Sequence, residues 1–341
     1  LAPVFQGIGT SAPEIFAKRD DLSSPLFGGN KLRTLECLFG LALARGAKRI
    51  FSTGAYGSNH AAATVLHARR AGLLPGACLF PQPWSPVAAS NLRATLSAGP
   101  ECVWLPHWSM LLVGMAQARR TGPPRSAFVM VPGGAIPEGA AGYVNAALEL
   151  AHQIKNKDLP PPKTVVVAVG STCTSAGLLL GFQLAARFGV AFQDARGQPC
   201  PPKLVAVRVT PWPIASAFRI VSLAARTGQW LARVSGNHRF EVSANTLGAG
   251  LQVDGRFLGR GYGEATSAGQ SAMDLFAARS DLRLDSTYSA KSAAALIALA
   301  SDSAAHPILY WATRTQQCLL PPMPGGLGAL PSRVERFIAR R

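Results

Sequence analysis

Apolar positions along the chain fall into two rhythms separated by glycine and proline. Short runs rich in β-branched and aromatic residues read as strands at residues 14–18, 49–53, 76–80, 101–105, 129–131, 164–169, 203–209 and 307–311. Between them lie stretches with helical spacing at 31–45, closed by Gly46, and 61–71, closed by Gly72, then at 91–98, 138–154, 178–188, 267–278 and 292–300. Residues 81–86 read as a proline-rich loop. Residues 211–260 read as irregular, with a helix at 215–225 and a weaker one near Trp230. Strand, polar glycine loop, helix is the unit of a parallel α/β sheet, whose ligands collect at the strand carboxyl ends. Residues 155–162, Lys-Asn-Lys-Asp-Leu-Pro-Pro-Pro, are the clearest linker, and the chain has no internal repeat.

A length of 341 residues with 48% hydrophobic content supports a large core and two domains rather than one. No stretch supplies about 18 uninterrupted apolar residues, so no membrane span is expected. The chain opens Leu1-Ala2-Pro3-Val4, with neither a methionine nor a signal pattern, as a fragment or a start-trimmed sequence does. A formal charge of +17 permits binding to polyanions. The basic residues are dispersed, however, as single arginines or pairs such as Arg69-Arg70 and Arg119-Arg120, and they read as solvated faces rather than a nucleic-acid interface. Six cysteines without close spacing read as reduced thiols of a cytoplasmic protein, and six histidines show no metal-ligand spacing.

Two motifs carry chemistry. Phe27-Gly28-Gly29-Asn30-Lys31 places glycines and an amide before a lysine that opens a helix. Backbone N–H groups there can approach an anion, and a partly desolvated lysine becomes a usable amine nucleophile, the pairing that pyridoxal phosphate requires. Taken alone, the motif reads first as a turn, a helix start and a solvated lysine. The second, Gly170-Ser171-Thr172-Cys173-Thr174-Ser175-Ala176-Gly177, joins a buried strand to a helix, where N–H groups, hydroxyls and the helix dipole can cradle a phosphate. Its alternative is an ordinary strand–helix turn with a hydroxyl cap. It lacks the Gly-Lys-Ser/Thr ending of a Walker loop.

In order along the chain, Lys18-Arg19-Asp20-Asp21-Leu22, Gly28-Gly29-Asn30-Lys31-Leu32-Arg33, Gly57-Ser58-Asn59-His60, Pro132-Gly133-Gly134, the 170–177 loop, Gly261-Tyr262-Gly263 and residues 285–291 with Tyr288 resemble the 1-aminocyclopropane-1-carboxylate deaminase / D-cysteine desulfhydrase family. The resemblance covers nearly the whole chain. It implies a two-domain α/β fold of the tryptophan synthase β-like kind (fold type II), each domain an open, mostly parallel sheet flanked by helices. Residues 1–42 with 155–341 would form a large cofactor-binding domain, and 43–154 a small mobile one that closes over a cleft. The implied cofactor is pyridoxal 5′-phosphate, the implied substrate a small amino acid, and the implied assembly a homodimer.

By position, Lys31 would capture the cofactor's aldehyde and shuttle the α-proton. Asn59 would bond the ring hydroxyl, Ser58 would lie near the substrate carboxylate, and Gly170, Ser171, Thr172, Cys173 and Thr174 would line the phosphate. Tyr262 and Tyr288 would face the substrate, and Ser289 would meet the pyridine nitrogen. A serine there, in place of a carboxylate, is expected to leave that nitrogen neutral and so to favour prompt loss of a β leaving group. This ranks α,β-elimination from an amino acid such as D-cysteine, giving a 2-oxo acid and ammonia, above cyclopropane deamination. A catalytically degenerate member that binds polyanions is the alternative of another class. The tyrosines could also be core aromatics, His60 a helix-start residue, Lys291 a structural charge and Cys173 a packing residue. The sequence departs from the family's pattern at Thr34, where a lysine is usual, at Gly57, usually glutamine, and at Ala312-Thr313-Arg314-Thr315, where His-Thr-Gly-Gly is usual. The sequence after Gln317 is proline-rich and matches no motif.

Overall fold

A computed structural model describes residues 1–6, 14–315 and 330–340. Nine strands occur in it: β1 Ile15–Arg19, β2 Arg49–Ala55, β3 Leu74–Phe80, β4 Glu101–Trp104, β5 Ala127–Val129, β6 Thr164–Val169, β7 Lys203–Arg208, β8 Leu251–Asp254 and β9 Ile308–Ala312. They form two sheets, ordered β1-β9-β6-β7-β8 and β4-β3-β2-β5, and each pair of neighbouring strands among the described residues is parallel. Each sheet belongs to one of two compact units: Leu1–Ser23 with Ala135–Gln316, and Ser24–Gly134 with Gln317–Arg341.

In the first unit β6 is the central strand. All six of its residues are buried. Val165, Val167 and Val169 enter one core with the helices Pro137–Lys155, Cys173–Arg187 and Ala217–Ser235. Val166 enters the other, with the helices Ser267–Arg279 and Ser289–Leu299. Both faces of the strand are covered by helices, so it reads in sequence as an unbroken apolar run rather than an alternation. From β6 the chain steps outward to β7 and β8, then returns to β9 on the opposite side. That reversal makes the carboxyl ends of β6 and β9 a switch point. In the second unit β2, β3 and β4 step one way and β5 returns to the other side of β2, placing a second switch point at the carboxyl ends of β2 and β5.

The division between units falls earlier than the expected boundaries at 42/43 and 154/155. A Cβ at Gly177 would collide with the Ala140 carbonyl and Tyr143, and one at Gly181 with Ala147 and Val144. This close glycine packing fixes helix Pro137–Lys155 to helix Cys173–Arg187, inside the first unit. Helix Lys31–Ala44 instead packs under the 132–134 turn, where Thr34 and Leu38 meet Gly134, inside the second. Residues 155–162 are accordingly a helix–strand connection within one unit and not a linker between two.

Other departures have local causes. The helix expected at 91–98 begins at Pro86, because the Ser85 hydroxyl caps it by accepting from Ala88 N at 3.1 Å. One 19-residue helix, Ala217–Ser235, replaces the two expected within 211–260. Gly228 weakens its local signal, yet the Phe240 carbonyl lies where a Cβ would stand. Strand β8 is a four-residue edge strand and helix Leu111–Arg119 is short and largely exposed; neither carries a clear pattern. Cys37, Cys78, Cys102, Cys173 and Cys200 are free thiols. Cys318 and the proline-rich segment after Gln317 lie outside the described residues.

Candidate active site

In the second unit, the β2/β5 switch point gathers three of the expected residues, Lys31, Ser58 and Asn59. Gly29 turns the chain at φ 95° into Asn30 and Lys31, which starts helix Lys31–Ala44 half-buried. Beyond β2, Ser58 caps helix Asn59–Ala68, its Oγ accepting from Ala61 N at 3.2 Å. Gly54 leaves the room for that hydroxyl, since a Cβ there would stand 2.7 Å from Ser58 Oγ. Asn59 Oδ1 accepts from Asn91 Nδ2 at 2.7 Å, and the same nitrogen donates to Gly57 O at 2.9 Å. Asn91 therefore orients the Asn59 amide by holding its oxygen.

His60 is buried beside them, and neither ring nitrogen has a hydrogen-bond partner among the described residues. Burial, and then the Lys31 charge, lowers its pKa to about 3, so the ring is neutral. The departures in this unit have structural reasons. Thr34 is buried with its methyl 2.8 Å from where a Cβ on Gly134 would stand, so the position fills space under the turn. Gly57 leaves no room for a side chain: a Cβ would stand 2.6 Å from Ala88 Cα. The polar group comes instead from Gln82, whose Oε1 accepts from Gly57 N at 3.0 Å.

In the first unit, β6 runs into Gly170 and Ser171 and then helix Cys173–Arg187. Thr172 sits at the helix start at φ 73°, a left-handed conformation that is strained for a β-branched residue, and its side chain makes no cap. Cys173 and Thr174 are buried in the first turn, while Gly170 and Ser171 are half-buried. Ser175 Oγ is buried without a hydrogen-bond partner among the described residues. Tyr288 stands beside this loop, with its Cε1 3.6 Å from where a Cβ on Gly170 would be. Its hydroxyl lies 2.6 Å from that of Tyr262, with the rings edge to face. Burial raises the pKa of Tyr262 and carries Tyr288 well above the ordinary value, so both phenols are protonated at neutral pH.

Ser289 follows Tyr288 and is committed to Asp285. Its hydroxyl donates to Asp285 Oδ2 at 2.9 Å and accepts from Asp285 N at 2.6 Å. The same carboxylate accepts from Thr287 N, Tyr288 N and Ser289 N, and lies 3.6 Å from Arg314 Nε. The hydroxyl proton being spent on Asp285, Ser289 offers a ligand an acceptor only. Asp285 and Arg314 were missed as site residues. Asp285 reads in sequence as a turn residue, and Arg314 reaches it only because β9 ends beside helix Ser289–Leu299.

A family model described as pyridoxal-phosphate dependent enzyme matches residues 3–313. The chain belongs to that family. Within it, the chain is 38% identical over 192 residues to a nocardicin C-9′ epimerase from Nocardia uniformis subsp. tsuyamanensis, covering 54% of this chain and 57% of that protein. It is 31% identical over 295 residues to a D-cysteine desulfhydrase from Salmonella paratyphi C, covering 83% and 80%. Among solved structures, an ACC deaminase homologue superposes with a TM-score of 0.69 at 26% identity, covering 92% of this chain and 87% of the other. Over the first curated relatives the match spans little more than half of their length. The fold is thus the two-sheet α/β architecture of fold type II, and the cofactor of the family is pyridoxal 5′-phosphate.

The residues present fit that cofactor. The nitrogens of His60 beside Lys31, and the hydroxyl of Ser175 beside the 170–174 loop, are buried polar atoms that a hydrogen-bonding ligand would satisfy.

Proposed function

We propose that the protein is a pyridoxal phosphate-dependent lyase that eliminates a β substituent from a small amino acid such as D-cysteine, giving a 2-oxo acid and ammonia. The observation that carries this reading is the protonated tyrosine pair beside the phosphate-type loop, supported by the 295-residue likeness to a D-cysteine desulfhydrase. When bound, the cofactor supplies an electron sink that acidifies the α C–H of the amino acid. Lys31 Nζ holds the cofactor and moves the α-proton. Asn59 would hold the ring hydroxyl, and Ser58 would orient the substrate carboxylate. The N–H groups of residues 170–174 hold the phosphate. As the Cβ–S bond breaks, the Tyr262–Tyr288 pair would lend a proton to the departing sulfur and regain one from solvent, while Lys31 returns the α-proton to solvent; the released unsaturated amine takes up water to give the 2-oxo acid and ammonia. We further read the enzyme as a cytoplasmic homodimer; no described helix is long and apolar enough to cross a membrane.

A second reading is epimerisation, in which the α-proton is removed and returned without elimination. The 38% identity to an epimerase favours it. The test is reconstitution with pyridoxal phosphate, reduction with borohydride and peptide mapping. The expected result is a cofactor adduct on Lys31 that is lost in Lys31→Ala. A panel of D- and L-amino acids, assayed for 2-oxo acid, ammonia and solvent-deuterium incorporation, then separates the readings. Keto acid release supports elimination. Deuterium uptake with chiral inversion alone supports epimerisation. An adduct elsewhere, or none, overturns both.

A further inference from the structure

Lys291 is a charge in an unfavourable place. It is fully buried and stands in the first turn of helix Ser289–Leu299, where the helix dipole opposes a cation. An apolar side chain of similar volume would avoid the cost of removing an ammonium from water. Burial accordingly lowers its pKa, against the attraction of Glu264 and Asp285. What the ammonium gains is two carbonyls: Nζ donates to Leu258 O at 2.7 Å and to Gly261 O at 3.0 Å.

Those carbonyls belong to residues 255–266, which contain neither helix nor strand. Gly259, Gly261 and Gly263 hold φ values of 66°, 155° and 83° there, open to glycine and rarely adopted by other residues. A segment of this kind has no ladder of backbone bonds to hold it, and ordering its glycines is costly in entropy. The Gly261 carbonyl is part of the peptide unit that leads into Tyr262. Lys291 itself lies about one helical turn after Tyr288. One ammonium therefore ties together the two backbones whose tyrosine hydroxyls stand 2.6 Å apart.

We propose that Lys291 is a positioning residue: its ammonium fastens residues 255–266 to the start of helix Ser289–Leu299 and so holds the Tyr262 hydroxyl against that of Tyr288. The fastening stands on geometry alone; its consequence for turnover rests on the reading above that the tyrosine pair faces the substrate. Arg256 and Arg260 are exposed within the fastened segment and give trypsin two reporters of its release.

The test uses the full chain, reconstituted with pyridoxal phosphate, as wild type, Lys291→Met, Lys291→Arg, Tyr262→Phe and the Lys291→Met/Tyr262→Phe double variant. Cleavage after Arg256 and Arg260, followed by mass spectrometry, is expected to speed up about tenfold in Lys291→Met and to return toward the wild-type rate in Lys291→Arg. On any amino acid the wild type turns over, Lys291→Met is expected to lower kcat more than it raises KM. The double variant is expected to lose no more than Tyr262→Phe alone, because the lysine acts through that hydroxyl.

Unchanged cleavage in a folded Lys291→Met protein overturns the fastening. Should Lys291→Met not fold, Lys291→Gln, which removes the charge and shortens the reach to the two carbonyls, carries the same comparison. Additive losses in the double variant overturn the action through Tyr262. A wild type that turns over nothing sinks the proposed activity and leaves the cleavage comparison to decide the fastening by itself.

Discussion

His60 shows what a single residue contributes that its position in the sequence does not announce. In the chain it follows a helix-capping serine and reads as a helix-start residue. In the fold it is a buried imidazole kept neutral by burial and by the nearby Lys31 charge. Its proton affinity makes it a stability determinant with a definite sign. An imidazole in the unfolded chain binds a proton near its ordinary value of 6.5, and in the folded chain only near 3. Between those values the unfolded state holds more protons, so stability rises with pH and is lost as the solution is acidified. Lowering the pH from 7 to 5 is expected to cost about 2 kcal/mol through this group, read as a fall in the urea midpoint. His60→Gln should remove most of that fall. His67, whose pKa burial also lowers, leaves a slope of the same sign in the variant. An equally steep fall in His60→Gln would assign the titration to another group. Asp285 makes the complementary point: one buried carboxylate caps the Tyr288–Ser289 turn, fixes the direction of the Ser289 hydroxyl and faces Arg314.

At the scale of elements, strands β2, β3, β6, β7 and β9 were legible because their apolar runs are long and bounded by turn residues. Helix Pro137–Lys155 was legible in extent but not in allegiance. Its periodicity shows an apolar stripe without showing what covers it, and the covering surface is helix Cys173–Arg187, met through Gly177 and Gly181. Adding a methyl there tests the contact. Gly177→Ala is expected to destabilise the protein by about 1–3 kcal/mol, because the new Cβ strikes the Ala140 backbone, which cannot rotate away. Gly40→Ala is the control. It lies in the interior of helix Lys31–Ala44 with nothing within 4 Å of a new Cβ, and it should stabilise by about 0.5–1 kcal/mol. Chemical denaturation of both variants reads the contrast. Equal effects at the two glycines would remove close helix packing as the reason for the unit boundary.

For the whole molecule, the charge of +17 is the property that composition states most plainly and the fold explains least. Among the described residues several arginines are individually paired: Arg19 with Asp21 and Asp281, Arg49 with Glu101, Arg256 with Asp254. The remaining field is positive overall and should hasten the approach of an anionic cofactor. Stopped-flow mixing of the cofactor-free protein with pyridoxal phosphate should show an association rate that falls as salt is raised from about 0.01 to 0.15 M, where the screening length shortens from about 30 to 8 Å. A salt-independent rate would show that the charge does not steer binding.

By itself the sequence determined most of the strands and helices in their order, and the glycine turns between them. Periodicity and turn chemistry are local, and each is written within a few neighbouring residues. The family followed from motifs in a fixed order, for the same reason. Tertiary structure alone decided that Asn91 turns the amide of Asn59, that Gln82 supplies the polar group Gly57 lacks, that Asp285 claims the Ser289 proton, and that Lys291 reaches the carbonyls before Tyr262. Each of these is a hydrogen bond, and most join residues that lie far apart in the chain. A hydrogen bond depends on distances of a few tenths of an ångström and on the direction of a lone pair, which no pattern of polar and apolar letters encodes.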